Sequence, residues 1–372
     1  SGCRINARVG PLRRLLPPLC LLYNVASCMA LYCLIRLMLD HFRHRSSRRA
    51  LSLERNKLIS ILADGKLHSG QDLANTLGVS RAAVWKKLSQ LDEMGVPVRR
   101  LHGKGYCLKQ PLDLLDKERL EQLLDPEQRE LINLHVLDDV PSTNDYLSAR
   151  ELVAKYEVCL AEKQSAGKGR RGRKWEGSYG RDIALSVKFE SERGVSGLDG
   201  LSLAVGVALA DSLTRAGVEG ISLKWPNDLW LGEKKVAGIL IELSGELQTR
   251  CEVVVGIGLN VSMAEDEGAS INQPWTSLAT DGGLPEISRN SIAAKLIAGL
   301  ISALERFERE GFAIFQAQWV SLDALKGREV FVVGQETSGL GAGIDAFGAY
   351  RLETASGEVR LNAGEVSVRA KG

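Results

Sequence analysis

The sequence predicts an α+β protein with three folded parts: an N-terminal winged helix-turn-helix, a central mixed-sheet α/β domain and a small C-terminal β-barrel. Three observations predict it. Near residue 78 two helical patterns meet at a glycine, and the second carries a basic face. Through the middle of the chain, strand-like apolar runs have few helices inserted between them, as in an α+β domain. Towards the C-terminus, short alternating runs are separated by glycine-rich turns. The 372 residues leave room for two or three domains. A charged fraction of 25% and a hydrophobic fraction of 44% exclude a collagen, a wholly disordered chain and a polytopic membrane protein. The expected boundaries are a leader over residues 1–52 outside the fold, a winged helix over 53–110, a linker helix over 111–135, the central domain over 136–320 and the C-terminal domain over 321–370.

The leader differs in composition from everything after it. Residues 1–50 hold nine arginines, no lysine and one acid, Asp40, for a net charge of +8. The whole chain carries +2, so the rest carries −6. Residues 15–35 are uncharged and flanked by arginines, and roughly 20 apolar residues suffice to cross a bilayer. A membrane anchor and a cleaved signal peptide are two readings. Pro17, Pro18 and Asn24 weigh against the first, and an Arg-rich continuation without a small-x-small site weighs against the second. The expected reading is upstream sequence outside the mature protein, with Met29 or Met38 as the start, and a cytoplasmic location. Cys3, Cys20, Cys28 and Cys33 lie in this segment, and only Cys107, Cys159 and Cys251 follow. An odd count with no C-x-x-C pair excludes a disulfide framework. His41 and His44 read as part of a basic, solvated flank.

A helical face of Leu53, Leu58, Ile59, Ile61 and Leu62 opens the first folded part. A short helix follows Ser69 and stops at Gly78, because glycine enters the left-handed region cheaply. Ser80 then caps a third helix that buries Val84, Leu88 and Leu91. Its other face offers Arg81, Lys86, Lys87 and Ser89. Helix, tight turn and capped basic helix make a helix-turn-helix. The runs at 96–101 and 106–108 flank Gly103-Lys104-Gly105 as a hairpin, the wing. Ser80, Arg81, Lys86, Lys87, Arg99, Arg100 and Lys104 are the expected DNA contacts, with salt-dependent phosphate binding. The competing reading is a winged helix used only for packing or protein contacts.

Strand-like runs in the central domain cover residues 134–137, 158–162, 183–189, 221–224, 235–243 and 252–261, with helices at 201–216 and 291–310. Four motifs stand among them. In residues 164–175, Gln-Ser-Ala-Gly-Lys-Gly-Arg-Arg-Gly-Arg-Lys-Trp, three glycines alternate with five cations before an aromatic. Glycines let backbone N–H groups approach a polyanion, and arginines neutralise phosphate through a bidentate fork. The pattern is not a Walker A loop. Read alone, it also suits a disordered RNA-binding tract. Lys224-Trp225-Pro226-Asn227-Asp228 ends a strand, because Pro226 lacks a donor, and leaves Asn227 and Asp228 on a loop suited to metal or amine contact. Lys235 opens an apolar strand, either as a snorkelling edge residue or as a charge aimed into a cleft. Gly256 and Gly258 in a strand imply close approach by ligand or backbone. Ser142-Thr143-Asn144 serves equally as a helix N-cap or as ligand contacts.

Together and in this order, behind a winged helix, these motifs resemble the bifunctional biotin–protein ligases and biotin-operon repressors of BirA type. The resemblance covers roughly residues 53–370, and G-K-G-R-R-G-R-K-W, K-W-P-N-D and K-x-A-G-I-L-I-E carry it. It implies a class II synthetase-like central domain and an SH3-like C-terminal barrel. It also implies ATP-dependent activation of biotin to biotinyl-5′-AMP, transfer to a lysine of the biotin carboxyl carrier protein of acetyl-CoA carboxylase, and binding of the adenylate-loaded homodimer to operator DNA of biotin genes. Ser142, Thr143, Asn144, Gln164, Lys168, Gly169, Arg170, Lys235 and Gly238 would then hold biotin. Arg170, Arg173, Trp175, Asn227, Gly256, Gly258, Asn260, Trp275 and Arg369 would hold ATP, Trp275 by stacking. Lys235, Asp228 and Arg170 would be catalytic, with Asp228 accepting the acceptor lysine's proton or helping to hold Mg²⁺. Lys168 stands where arginine is also common, so the charge is kept and the bidentate fork is lost. Strand residues 239–246 would extend a sheet across a two-fold interface. The alternatives are a ligase whose winged helix does not bind DNA, a non-enzymatic biotin-sensing transcription factor, and a lipoate ligase. The last should lack the winged helix and the R-R-G-R-K-W loop.

Overall fold

The computed structural model describes residues 54–372 except 246–249, 264–266, 284–287, 364–367 and 371–372. The leader readings over residues 1–52, the anchor segment and the four N-terminal cysteines included, lie outside the described residues. By compactness the chain divides between residues 59 and 60. Of the first unit, residues 54–59 are described; they begin helix α1 (54–62), with Leu58 and Ile59 buried.

In the second unit, α2 (Gly70–Leu77) is capped by Ser69, whose hydroxyl accepts the Asp72 N–H at 3.0 Å, and it stops at Gly78 with φ 67°. Ser80 caps α3 (Arg81–Glu93) by accepting the Ala83 N–H at 3.2 Å. Val84, Leu88 and Leu91 are buried, as their spacing requires. β1 (Val98–Leu101) and β2 (Gly105–Leu108) form the antiparallel hairpin. The linker holds α4 (Lys117–Leu123) and α5 (Pro126–Leu131).

The central sheet has seven strands: β3 (Ile132–Val140), β4 (Tyr156–Gln164), β5 (Ile183–Ser191), β6 (Ile221–Lys224), β7 (Asp228–Leu231), β8 (Lys234–Ser244) and β9 (Cys251–Leu259). Their order is β3-β4-β5-β9-β8-β7-β6. The β3–β4 pair is parallel and every other neighbouring pair antiparallel, so the sheet is mixed as expected. One expectation fails. Asp228 is not on a loop but opens β7, opposite Lys224 and Gly238. Pro226 ends pairing for only a three-residue turn, 225–227, and the chain returns at once as a strand.

Strand alternation decides which face does what. On β5 and β9, Leu185, Val187, Val253, Val255 and Ile257 enter the main core. α7 (Leu201–Arg215) and α9 (Arg289–Glu310) contribute to the same core. Among the described residues, one helical stretch, Val195–Arg215, is long and apolar enough to cross a membrane, and most of it is buried here. The opposite face carries Ser186, Gly256, Gly258, Gly238 and Glu242. α6 (Thr143–Ser148) lies on that side, where Leu147 packs with Cys159 and Val254. α8 (Leu278–Asp281) and α10 (Ala313–Ser321) complete the helices.

The C-terminal strands are β10 (Glu329–Val332), β11 (Ser338–Ile344), β12 (Tyr350–Thr354), β13 (Gly357–Leu361) and β14 (Val368–Ala370). They form one antiparallel sheet of order β13-β12-β11-β10-β14. The sequence predicts a barrel; among the described residues the five strands pair as this one sheet, and no pairing of β13 with β14 is seen. Trp225 of the K-W-P-N-D motif anchors it to the central domain. Its indole is 1% exposed, donates to the Gly348 carbonyl at 3.0 Å and lies 5.6 Å from the Tyr350 ring. The linker is strapped to the central domain by a buried ion pair. Arg289 meets Glu162 at 2.8 Å and donates to the Asp113 carbonyl, while Glu162 accepts the Leu115 N–H.

Candidate active site and DNA-reading face

Register brings four residues into one rung across the sheet: Ala184, Gly258, Gly238 and Asp228. The two glycines of this rung line the floor of a narrow cleft of about 60 Å³. Ser142, Thr143, Asn144, Gln164, Lys168, Gly169, Arg170, Trp175, Asn227, Lys235, Gly238, Gly256 and Gly258 all line it. Residues spread over more than 110 positions thus converge because α6, the ends of β4 and β7, and the middles of β8 and β9 meet on one face.

One end of the cleft is a chain of polar contacts. Ser142 caps α6 by accepting the Asp145 N–H. Gln164 Oε1 accepts from both the Thr143 N–H and the Thr143 hydroxyl, at 2.8 and 3.0 Å. Ser186 Oγ lies 2.7 Å from Thr143 Oγ1 and 2.6 Å from Asn144 Oδ1. Asn144 Nδ2 donates to Glu242 at 2.7 Å. Thr143, Asn144 and Ser186 are buried.

Residues 167–175 fold back on themselves. Gly169 N–H donates to the Arg173 carbonyl at 2.7 Å, Trp175 N–H to the Gly167 carbonyl at 2.9 Å, and Lys168 bridges Lys174. The turn places Arg171 at φ 57°, a region β-carbons disfavour. Arg170 points into the cleft, donating to Asn227 Oδ1 at 3.2 Å and to the Ala363 carbonyl. Burial and then the neighbouring Arg171 pull its pKa below the ordinary guanidinium value. Lys168 pairs with Asp145, which raises its pKa. A tract held this way is not a disordered RNA-binding segment.

Lys235 stands at the junction with a second cavity, of about 430 Å³. Its Nζ lies 2.7 Å from Asp228 Oδ1 and 5.5 Å from the Trp175 ring centroid. Both ionic partners are largely covered, 15% and 18% exposed. Its backbone is clamped to the segment beside Trp275: Lys235 N–H donates to the Pro274 carbonyl and Thr276 N–H to the Lys235 carbonyl. Lys235 and Trp175 line both cavities, and Arg173, Asn260 and Trp275 line the second. Asn260 is 2% exposed, and its Nδ2 donates to the Thr276 carbonyl at 3.0 Å. Its buried Oδ1 has no hydrogen-bond partner.

One expectation changes and another, Arg369, cannot be read from the described residues. Gly256 and Gly258 line the first cleft rather than the nucleotide-side cavity, and side chains of the protein already approach them. A β-carbon at 256 would come within 2.3 Å of Asn144 Oδ1, and one at 258 within 2.2 Å of the Trp175 indole. Arg369 stands on β14 opposite Phe331, but its side chain lies outside the described residues. Sequence reasoning missed Ser186, Glu242 and Asp182. Asp182 is buried and accepts the Ser178 and Val261 N–H groups at 2.8 and 3.0 Å, which seats the chain next to Asn260. Burial pushes its pKa up to about 6, despite those bonds and Arg289. No group of three or more His, Cys, Asp or Glu suited to hold a metal stands among the described residues. Asp228 is a single carboxylate beside the cleft, a donor set that suits Mg²⁺ arriving on nucleotide phosphates rather than a protein cage.

On the reading helix, Arg81 and Lys86 are exposed, as are Ser80, Arg99 and Lys104. Lys87 is not: it is 8% exposed, on the stripe shared with Val84, Leu88 and Leu91. Helix phase puts position 87 inward, where its methylenes pack. Arg100 is paired with Asp92. Trp85, which the sequence reading passed over, stands 58% exposed beside Lys86.

Residues 136–260 match the biotin/lipoate A/B protein ligase family and residues 54–107 an HTH domain. The chain is 42% identical over 317 residues to the bifunctional ligase/repressor BirA of Salmonella typhimurium, covering 84% of this chain and 97% of that one. It is 40% identical to BirA of Escherichia coli, over 84% of this chain and 97% of that one. Among solved structures it resembles the biotin protein ligase from Aquifex aeolicus in complex with biotin and ATP. There the TM-score is 0.55 and the identity 29%, over 64% of this chain and all but 1% of that one. With a BirA relative matched over nearly its whole length, the chain belongs to the family of bifunctional ligase/repressors of BirA type.

Proposed function

We infer that this protein is an ATP-dependent biotin–protein ligase and a biotin-responsive repressor. The observation that carries the chemistry is the shared wall of the two cavities, Lys235 and Trp175. Biotin occupies the narrow polar cleft and ATP the wider cavity, so the biotin carboxylate meets the α-phosphate at Lys235. Carboxylate attack on the α-phosphorus forms biotinyl-5′-AMP and releases pyrophosphate. The amine of an acceptor lysine on a biotin carboxyl carrier protein then attacks the acyl carbon, giving the amide and AMP.

Lys235 stabilises the charge that develops at the α-phosphate, and Asp228 orients its ammonium and takes the proton of the incoming amine. Arg170 and Arg173 neutralise phosphate oxygens. Asp228 is the carboxylate that would help to hold a nucleotide-borne Mg²⁺, which would neutralise phosphate charge. Thr143 uses both lone pairs of Gln164 Oε1, so the amide N–H groups of Gln164 remain for the ureido carbonyl. The orphaned Oδ1 of Asn260 suits the amino group of adenine, with Trp275 stacking on the ring. Operator DNA meets Arg81, Trp85, Lys86, Arg99 and Lys104. The adenylate-loaded protein pairs through β8, whose edge beyond Ile239 has no described neighbour on the β7 side. The C-terminal sheet is read as SH3-like and the central domain as class II synthetase-like. A cytoplasmic location follows from where operator DNA and the carrier protein are found.

Incubating the full chain with ATP, Mg²⁺, biotin and a carrier domain should give biotinylated carrier; no product overturns the ligase. Duplexes selected from a random pool should bind more tightly with biotin and ATP present. Binding that ignores both overturns the biotin-responsive repressor.

A further inference from the structure

We propose that Glu242 is a positioning residue that keeps the polar end of the cleft one hydrogen-bond donor short, ready for a ligand that brings N–H groups. This rests on the assignment of biotin to that cleft. The network runs Gln164–Thr143–Ser186–Asn144, with contacts of 3.0, 2.7 and 2.6 Å. Both ends are acceptors, Gln164 Oε1 and Asn144 Oδ1. Two hydroxyl protons therefore serve three contacts. Buried among neighbours, such a deficit is costly unless a donor arrives.

Asn144 has a simple remedy. Rotating its amide by half a turn would aim Nδ2 at Ser186, and every contact would then hold a proton. Glu242 prevents this. Its carboxylate accepts from Asn144 Nδ2 at 2.7 Å and cannot donate in return. Lys168 lies 3.7 Å from its other oxygen, over the cleft. Glu242 reaches Asn144 because strand alternation puts it on the face of Gly238 and Gly256, in the rung of Val254. A ureido ring carries two N–H donors and supplies what the network lacks.

The test uses the full chain with ATP, Mg²⁺ and a carrier domain. It compares biotin with an analogue whose ureido ring has oxygen in place of one N–H. Glu242→Ala should raise KM for biotin roughly tenfold with kcat within about twofold, the loss of one charged hydrogen bond. Its preference for biotin over the analogue should fall by a similar factor. Adding Asn144→Asp should restore part of that preference, because a carboxylate presents an acceptor whichever way it turns. An unchanged preference in Glu242→Ala, or no recovery in the double variant, overturns the proposal. A wild-type chain that transfers no biotin refutes the ligase reading instead.

Discussion

The loop at residues 167–175 and the face of the winged helix both gather positive charge, and they hold it in opposite ways. In the loop and beside it, each cation that reaches the cleft is tied: Lys168 to Asp145, Arg170 to Asn227 and a backbone carbonyl, and Lys235 of β8 to Asp228. On α3 and the hairpin, Arg81, Lys86, Arg99 and Lys104 stand in solvent. Tied charges are costly to arrange and act at a defined atom, with little screening. Exposed charges act together on a polyanion and weaken with salt. Charge alone therefore does not say which chemistry a basic segment performs; the partners that fix or free each cation do.

This contrast is open to breakage, the largest effect first. Lys235→Ala should cut biotin-dependent exchange of pyrophosphate into ATP by about 10²–10³-fold. Its biotin affinity by calorimetry should change far less, and equal losses would contradict a role in stabilising developing charge. Next, Asn260→Ala should raise KM for ATP roughly tenfold while leaving KM for GTP unchanged. The measurement is the ratio of kcat/KM for the two nucleotides, and an unaltered ratio removes adenine from that cavity.

Lys86→Ala with Lys104→Ala should lower the slope of log affinity against log salt by about two for a selected duplex, with ligase kcat intact. Lys87→Ala should leave that slope alone and lower Tm by a few degrees. A slope change there would return Lys87 to the DNA face.

The smallest effect concerns Asp182. Its folded pKa of about 6 lies above the ordinary carboxylate value, so the folded state binds the proton more tightly. The stability it contributes is present below about pH 4 and lost as pH rises through about 6. The Tm difference between Asp182→Asn and wild type should therefore shift in the variant's favour between pH 4 and pH 7. A pH-independent difference would mean that the carboxyl titrates normally.

Much of this molecule is legible because its motifs combine glycine with charge. Residues 164–175, Lys235 and the caps at Ser69, Ser80 and Ser142 all stand where the pattern puts them. What stays hidden depends on phase and partners. Lys86 and Lys87 are adjacent, and only the rotation of α3 about Val84 and Leu91 separates them. Ser186 and Glu242 are single polar residues on alternating strands, indistinguishable in sequence from solvent-facing positions. A glycine announces that something comes close without saying what: at 256 and 258 it is Asn144 and Trp175. Pro226 interrupts a strand, yet the next one begins two residues later. The order of the C-terminal strands follows from their pairing, which alternation cannot specify.

The wall between the two cavities carries a last consequence. Lys235 and Trp175 belong to both, so with biotin in one and nucleotide in the other, as proposed, each ligand meets side chains that the other also meets. Whatever factor bound biotin imposes on the affinity for nucleotide, bound nucleotide must impose on the affinity for biotin, because the cycle closes. Order of addition then changes only the route. The site measures the product of two concentrations rather than either one, and a repressor built on it reads metabolic supply and energy supply as a single signal.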